Sequence, residues 1–191
     1  METLRLFLAI AIPEPVREEL RRLQRELQPL LPPRLVRWAR PEQFHLTLKF
    51  LGSVPARDVV ALREAARNVS NAARPFRLRA EGVGFFPGKS APRVFWVEIK
   101  DKDGSLLEFQ RDLEAAVRPF GEKDGNRFTA HVTLARFQKL PRRAVETVCA
   151  RATEGRFFGE WEAQEAELIE SRLQPAGALH AILETFRMKS E

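Results

Sequence analysis

The chain has 191 residues, of which 44% are hydrophobic, and it carries a formal net charge of +6 with a pI near 10.1. That length suffices for one domain with its own core or for two small lobes that share one. No apolar run approaches the roughly 20 residues of a membrane helix, the N-terminus lacks a signal-peptide hydrophobic region, and the single cysteine, Cys149, cannot form an intramolecular disulfide. These features argue against a membrane protein and a disulfide-stabilised secreted domain, and predict a cytoplasmic protein.

The positive charge favours an anionic partner, with RNA or nucleotides ahead of a membrane surface. The alternative is that the charges are spread over ordinary solvated faces. Cys149 lies on the apolar stripe of a predicted helix, so we expect it to pack in the core and not to act as a nucleophile.

The first half of the chain predicts strand, helix, strand, helix, strand. Short apolar or alternating runs are typical of strands, and apolar residues three and four positions apart are typical of helices. The predicted elements are a strand over 5–11, a helix over Val16, Leu20, Leu23 and Leu27 that ends before Pro29, a strand over 45–50, a helix over Val59, Leu62 and Val69, and an extended segment over 76–86.

The second half repeats this order after a joining segment at 86–92, which we predict to be a mobile loop. The predicted elements are a strand over 93–99, a helix over Leu106, Phe109, Leu113 and Val117 that ends before Pro119, a strand over 131–134, a helix over Val145, Val148 and Ala152, and strands over 162–170 and 178–186. The pattern predicts an α/β (α+β) fold of two pseudo-symmetric lobes, each a mainly antiparallel sheet with helices on the outside, around a central cleft.

An internal repeat at an offset of 86 residues supports this division. The segment FHLTL at 44–48 recurs as AHVTL at 130–134, and a proline follows each histidine after ten residues, at Pro55 and Pro141. Two copies of one unit, each too small to bury a core alone, are therefore expected. We predict a single bilobal domain over 1–191, with halves at about 1–88 and 89–191.

The repeated His-x-Thr segments carry the chemistry. Residues i and i+2 of a strand project to the same face, roughly 6.5–7 Å apart. His45 therefore shares a face with Thr47, and His131 shares one with Thr133, while the intervening apolar residues enter the core. If a pseudo-twofold axis relates the halves, two imidazoles and two hydroxyls line one groove.

Such a groove suits phosphodiester hydrolysis. One imidazole can take a proton from the attacking water, and the other can give one to the leaving sugar oxygen. Threonine hydroxyls can donate to the non-bridging phosphate oxygens, and nearby cations such as Lys49 or Arg136 can add electrostatic support. The alternative of two core histidines that bond neighbouring threonines leaves the repeat and the shared polar faces unexplained.

Other chemistries fit the sequence less well. Zinc would need three or four His, Cys or carboxylate ligands, and neither motif has Asp, Glu or Cys at i±2. The nucleophile-elbow and P-loop patterns are absent. The third histidine, His180, lies in an alternating strand and is expected to be structural or to line the cleft. We therefore expect no metal.

An ordered set of motifs over nearly the whole chain resembles the 2H phosphoesterase superfamily, specifically the LigT-like RNA 2′,3′-cyclic phosphodiesterases, also called 2′-5′ RNA ligases. The set comprises RLFLAI at 5–10, HLTLKFLG at 45–52, Phe86-Pro87, PRV at 92–94, FTAHVTLAR at 128–136, LIESRL at 168–173 and Pro175. Two departures from the family pattern are Ala130, where proline often precedes the second motif, and His180, where the closing strand often has tyrosine.

The resemblance implies hydrolysis of RNA 2′,3′-cyclic phosphate ends to 2′-phosphomonoesters without a cofactor. Candidate substrates are tRNA fragments and nucleotides that carry such an end. It implies that His45 is the proton donor and His131 the proton acceptor, and that Thr47 and Thr133 hold the phosphate. It also puts Arg136 near the phosphate, although strict alternation from His131 turns Arg136 to the opposite face. Either the strand bulges after Leu134 or Arg136 acts elsewhere. We expect a monomer.

Several alternatives remain open on the sequence alone. Phe7 is either a base-stacking residue or a core residue, and Lys89 and Arg93 either contact the RNA backbone or are solvated charges. The same fold can form 2′-5′ linkages in the reverse reaction, or bind nucleotides or RNA without turnover.

Overall fold

The structure, a computed structural model, describes residues 2–122, 127–152, 155–174 and 177–189. Within these ranges it has nine strands and four α-helices. In chain order they are β1 (Thr3–Ala11), α1 (Glu14–Leu27), β2 (Val36–Trp38), β3 (His45–Pro55), α2 (Val59–Ala72), β4 (Phe76–Phe86), β5 (Val94–Lys100), α3 (Ser105–Val117), β6 (His131–Phe137), α4 (Arg142–Arg151), β7 (Phe157–Ala163), β8 (Glu165–Gln174) and β9 (Gly177–Arg187).

The strands form two antiparallel sheets. The first sheet has the order β3-β1-β8-β9, and the second has the order β2-β6-β5-β4-β7. This confirms the predicted α+β class and its two lobes. The equivalent strands β4 and β8 are exchanged between the halves, since β4 joins the sheet built on β5 and β6, and β8 joins the sheet built on β1 and β3.

The helices cover the outer faces of the sheets. α2 packs against β8 and β9, α3 packs against β3, and α1 packs against β7 and α4. The predicted apolar stripe of α1 is buried, and the residues between the cleft-facing positions, Leu46 and Val132 among them, are fully buried in the same continuous core. Each such leucine or valine contributes about 1.5–3 kcal/mol through burial. The core therefore joins both lobes from behind and leaves the inner faces for the cleft.

One predicted strand was wrong and one was missed. The single strand over 162–170 is divided at Gln164 into the end of β7 and the start of β8, which belong to different sheets. The alternation shifts by one residue at the break, because the buried Ala163 and Ala166 are separated by Gln164 and Glu165. That shift was the available signal for the change of sheet. β2 was missed because three residues are too few for a periodic signal.

Candidate active site

The two His-x-Thr motifs meet at the junction of the sheets. His45 begins β3, His131 begins β6, and these two strands contact each other. Both imidazoles line one cavity of about 520 Å³, within the range of small-molecule sites. The cavity is lined by Arg37, Trp38, Ala39, Gln43, His45, Thr47, His131, Thr133, Arg136, Leu173, Gln174, Gly177, Ala178 and His180. All five side chains predicted to form the site are therefore brought together.

Each imidazole is oriented by the backbone two residues before it. Nδ1 of His131 lies 2.7 Å from the carbonyl oxygen of Thr129, and the ring of His45 is hydrogen-bonded to the backbone of Gln43. A carbonyl can only accept, so Nδ1 of His131 carries the proton and its Nε2 remains for proton transfer. The same local geometry at both motifs follows from the repeat.

Aromatic rings hold both histidines. The ring centroid of His45 lies 4.8 Å from that of Phe7, and His180 stands 5.4 Å from His45. The centroid of His131 lies 5.0 Å from Phe86 and 5.9 Å from Trp96. Each imidazole is thus fixed between the strand and a wall of aromatic rings.

These surroundings favour the neutral imidazoles. Burial, with a further contribution from neighbouring His180, lowers the pKa of His45 to about 4. Burial also lowers the pKa of His131, where the Thr129 carbonyl opposes the shift and Arg136 adds to it. In the unliganded protein near pH 7 both rings are therefore free to accept a proton.

A β-bulge in β6 explains the position of Arg136. Ala135 pairs with Phe95 and Thr133 with Trp96, so Leu134 is an extra residue on β6. Leu134 and Ala135 both face the core, and alternation is shifted by one residue after them. The exposed side chain of Arg136 thereby reaches the cavity, as one of the two predicted alternatives required.

β3 has the same bulge at the equivalent position. Leu8 pairs with Lys49 and Ala9 with Thr47, which makes Leu48 the extra residue, 86 positions before Leu134. Lys49 is consequently buried, and its Nζ lies 3.0 Å from the Glu114 carboxylate. It lines an adjoining cavity of about 630 Å³ and not the main one. The predicted support from Lys49 is therefore partly neutralised by an acidic partner.

The sequence of the chain matches that of a known protein family. The sequence model of the LigT-like phosphoesterases matches the chain twice, at residues 10–96 and 97–180. The chain belongs to the LigT-like phosphoesterase family. Each of the two matched segments contains one His-x-Thr motif.

Two relatives of this LigT-like chain share the name RNA 2′,3′-cyclic phosphodiesterase. An Archaeoglobus fulgidus protein named RNA 2′,3′-cyclic phosphodiesterase is 30% identical over 183 residues, which cover 96% of this chain and 99% of the relative. A Thermus thermophilus protein of the same name is 32% identical over 196 residues, with 98% and 92% covered. The crystal structure of TT0787 from Thermus thermophilus has a TM-score of 0.79 at 30% identity, with 98% and 99% covered.

Escherichia coli LigT complexed with 3′-AMP shares the fold, with a TM-score of 0.78 at 23% identity; the alignment covers 99% of this chain and all of that one. The fold of this LigT-like chain is thus that of a family whose solved members include nucleotide complexes.

Several residues that line the LigT-like site were not predicted from the sequence. Arg37 and Trp38 of β2 line the cavity. Nε2 of Gln43 donates to the Ala178 carbonyl at 2.6 Å, which joins the segment just before β3 to β9. Trp96 was counted only within a strand, yet its indole lies against His131. Trp96 lies opposite Thr133 through the pairing of β5 with β6, which the sequence does not show.

The structure also gives the positions of the other residues that the sequence had singled out. His180 lines the cavity, as the cleft-wall prediction allowed. Phe7 is buried, but in a small cleft-side cluster with Ala9 and Ile169, so it is both packed and adjacent to the site. Arg93 lines the adjoining cavity, and Lys89 is exposed. Pro175, the last of the motif residues, lies outside the described residues.

Two further findings concern the described residues. Among them, no group of three or more His, Cys, Asp or Glu side chains is arranged to hold a metal ion. None of the helices in these ranges combines the length and apolarity that crossing a bilayer requires.

Proposed function

We propose that this chain hydrolyses RNA 2′,3′-cyclic phosphate ends to 2′-phosphomonoesters by metal-independent acid–base catalysis with two histidines. The observation that carries the proposal is the shared cavity, in which both His-x-Thr pairs line one space. The relatives that match nearly the whole chain are named for this activity, which supports the same substrate class.

The proposed steps follow from the two orientations. His131 takes the proton of the attacking water on Nε2, the water oxygen bonds to phosphorus, and the P–O3′ bond breaks. His45 gives its proton to the departing O3′, so the phosphate stays on the 2′ oxygen. Because the two imidazoles come from opposite lobes, they can act on opposite sides of one phosphate, as in-line displacement requires.

The acid must gain its proton when substrate binds. The pKa of His45 is lowered to about 4 in the unliganded site, so its imidazole is mostly neutral at pH 7. A bound phosphate anion favours the charged imidazolium, and raises the pKa of His45 when it is needed. The hydroxyls of Thr47 and Thr133 and the guanidinium of Arg136 bind the phosphate oxygens, where negative charge grows in the transition state.

The experiment that tests this function is incubation of the protein, in EDTA, with an RNA oligomer that ends in a 2′,3′-cyclic phosphate. The product ends are then separated as 2′- and 3′-phosphates. The proposal predicts 2′-phosphate ends formed at the same rate with and without EDTA. Loss of activity on chelation that zinc restores would contradict metal independence, and RNA or 3′-AMP binding without any conversion would favour a binding module.

The adjoining cavity favours one second candidate, the formation of 2′-5′ linkages. That cavity shares Thr47 and His131 with the main one, so a second nucleoside can lie on the other side of the phosphate. A ribose 5′-hydroxyl bound there would replace water as the nucleophile, with the same two proton transfers. Ligated product in excess of hydrolysed product with annealed tRNA halves would establish ligation as the main reaction.

A further inference from the structure

Each bulge changes the hydrogen bonding of a buried backbone carbonyl. The extra residue of a bulge loses its regular ladder partners. Leu48 and Leu134 are the extra residues, and both are buried, with exposures of 2% and 0%. A buried carbonyl without a donor is unfavourable, so a donor from outside the sheet can stabilise a bulge. The carbonyl oxygen of Leu134 accepts the backbone N–H of Ala39 at 2.9 Å, and its second lone pair can accept from such an outside donor.

A glutamine of α1 supplies that donor at the second motif. Gln24 is only 4% exposed, and its Nε2 lies 2.9 Å from the carbonyl oxygen of Leu134 and 2.9 Å from that of Ala39. Both protons of the amide group are thus used. α1 follows β1 of the first sheet in the chain, yet it packs behind the second sheet.

A glutamine of α3 does the same at the first motif. Gln110 is also 4% exposed, and its Nε2 lies 3.3 Å from the carbonyl oxygen of Leu48 and 3.0 Å from the Glu114 carboxylate. That carboxylate in turn holds Lys49, the residue after the bulge. α3 comes from the second half of the chain and packs against β3 of the first sheet.

The two contacts are related by the repeat. Gln24 and Gln110 are 86 positions apart, as are Leu48 and Leu134. Each half therefore sends a buried glutamine to the bulge that follows the motif of the other half. A polar side chain at the apolar stripe of a helix has an energetic cost, and its use at both equivalent positions indicates a shared purpose.

We propose that Gln24 and Gln110 are positioning residues that hold the bulged registers of β6 and β3, and that Gln24 thereby keeps Arg136 in the cavity. The bulge moves the third residue after each motif threonine onto the cleft face. In β6 this residue is Arg136, and in β3 it is Phe50, which packs on the cleft-side cluster of Phe7 and Ile169. The inference rests on the proposed function for its kinetic readout.

The test compares Gln24→Met and Gln110→Met, each alone and combined with Arg136→Ala. Methionine keeps the unbranched shape of glutamine and removes both donors. The two variants are matched in residue type and burial, and differ in the strand that they release. We expect each to lower kcat/KM at least tenfold. Gln24→Met should have little further effect in the Arg136→Ala background, whereas Gln110→Met should lose the same factor in both backgrounds.

Three kinetic results would overturn the proposal. They are wild-type kcat/KM in Gln24→Met protein, an equal loss from Gln24→Met in both backgrounds, and wild-type kcat/KM in Arg136→Ala protein. The first would show that the donor is dispensable. The second would assign Gln24 a general stabilising contribution, and the third would leave the bulge with no active side chain to present.

A crystal structure of the Gln24→Met variant tests the same inference without turnover. The proposal predicts that Arg136 leaves the cavity, and an unchanged bulge with Arg136 in place would contradict it. This result separates the two proposals, since a wild-type protein without hydrolytic activity removes the proposed function but not this geometry. If the Gln24→Met protein does not fold, a crystal structure of the Gln110→Met variant tests the proposal instead. The proposal predicts that Phe50 is displaced there, and an unmoved Phe50 would contradict it.

Discussion

The imidazole of His180 stands edge-on to that of His45, with ring centroids 5.4 Å apart and planes at 63°. Two imidazolium ions at this separation repel each other, so protonation of one ring opposes protonation of the other. Burial is the larger cause of the lowered pKa of His45, and His180 is the next. The chain thus places a titratable ring beside its proposed proton donor.

Replacement of His180 by phenylalanine should move the pH dependence of activity. Phenylalanine keeps an aromatic ring against Phe7 and removes the second positive charge, so the pKa of His45 rises. The alkaline limb of the kcat profile, where His45 of the substrate complex loses its proton, should then shift to higher pH. Profiles of His180→Phe and wild-type protein, with Arg142→Ala of the exposed face of α4 as control, check this. A shift of the alkaline limb to lower pH would show that His180 does not disfavour the charged form.

The lowered pKa of His45 also predicts how stability depends on pH. The folded protein holds His45 neutral down to about pH 4, whereas the unfolded chain protonates it near the ordinary histidine pKa of 6.5. The unfolded state therefore binds more protons between these values, and stability falls as pH falls through that window. Relative to wild type, His45→Gln should gain up to about 3 kcal/mol of unfolding free energy between pH 7 and pH 4.5. Urea unfolding at both pH values measures it, and an equal difference at both would contradict the shift.

The motif threonines should contribute less than the histidines. A hydrogen bond to a charged group contributes about 1.5–3 kcal/mol, which corresponds to a loss of about 10–100-fold in kcat/KM for Thr47→Ala or Thr133→Ala. Thr147→Ala is a matched control, because that exposed hydroxyl donates to the Arg143 carbonyl within α4. Steady-state kinetics should show the loss for the two cavity threonines and none for Thr147. Full activity in both motif variants would remove them from phosphate binding.

Arg136 should contribute to kcat/KM through its positive charge and through the N–H donors of its planar guanidinium group. Arg136→Ala removes both and should lower kcat/KM about 10–100-fold, while Arg136→Lys keeps the charge and should restore part of it. Arg142→Ala removes a cation whose side chain is 94% exposed on α4 and should leave the rate unchanged. If the Arg136 and Arg142 variants behave alike, the arginine in the cavity does not touch the phosphate.

The sequence predicted which motif residues share a cavity better than it predicted the order of strands in the sheets. The repeat identified His45 and His131 because chemistry at i and i+2 of a strand leaves a local signal that survives in both copies. Alternation shows which face is buried, but it does not show which strand lies alongside, so the exchange of β4 and β8 was not predicted. The contact of His180 with His45 depends on that pairing and could not be read from the chain.

The bulges mark another limit of strict alternation. Arg136 lies on the cleft face only because Leu134 adds a residue to β6, and Lys49 is buried for the same reason in β3. A bulge is stabilised by groups distant in sequence, here a glutamine of a helix from the other half of the chain. Periodicity within the strand carries no trace of such a donor.

The most direct test of the two-histidine mechanism is single-turnover hydrolysis of an RNA oligomer with a 2′,3′-cyclic phosphate end by wild-type, His45→Ala and His131→Ala protein in EDTA. Each single variant should lose about 10²–10⁴-fold in rate, the usual contribution of one general acid or base. The double variant should lose little more than either single one, because the two imidazoles act as a unit. A near-wild-type rate in either single variant, with melting temperatures unchanged, would contradict the mechanism.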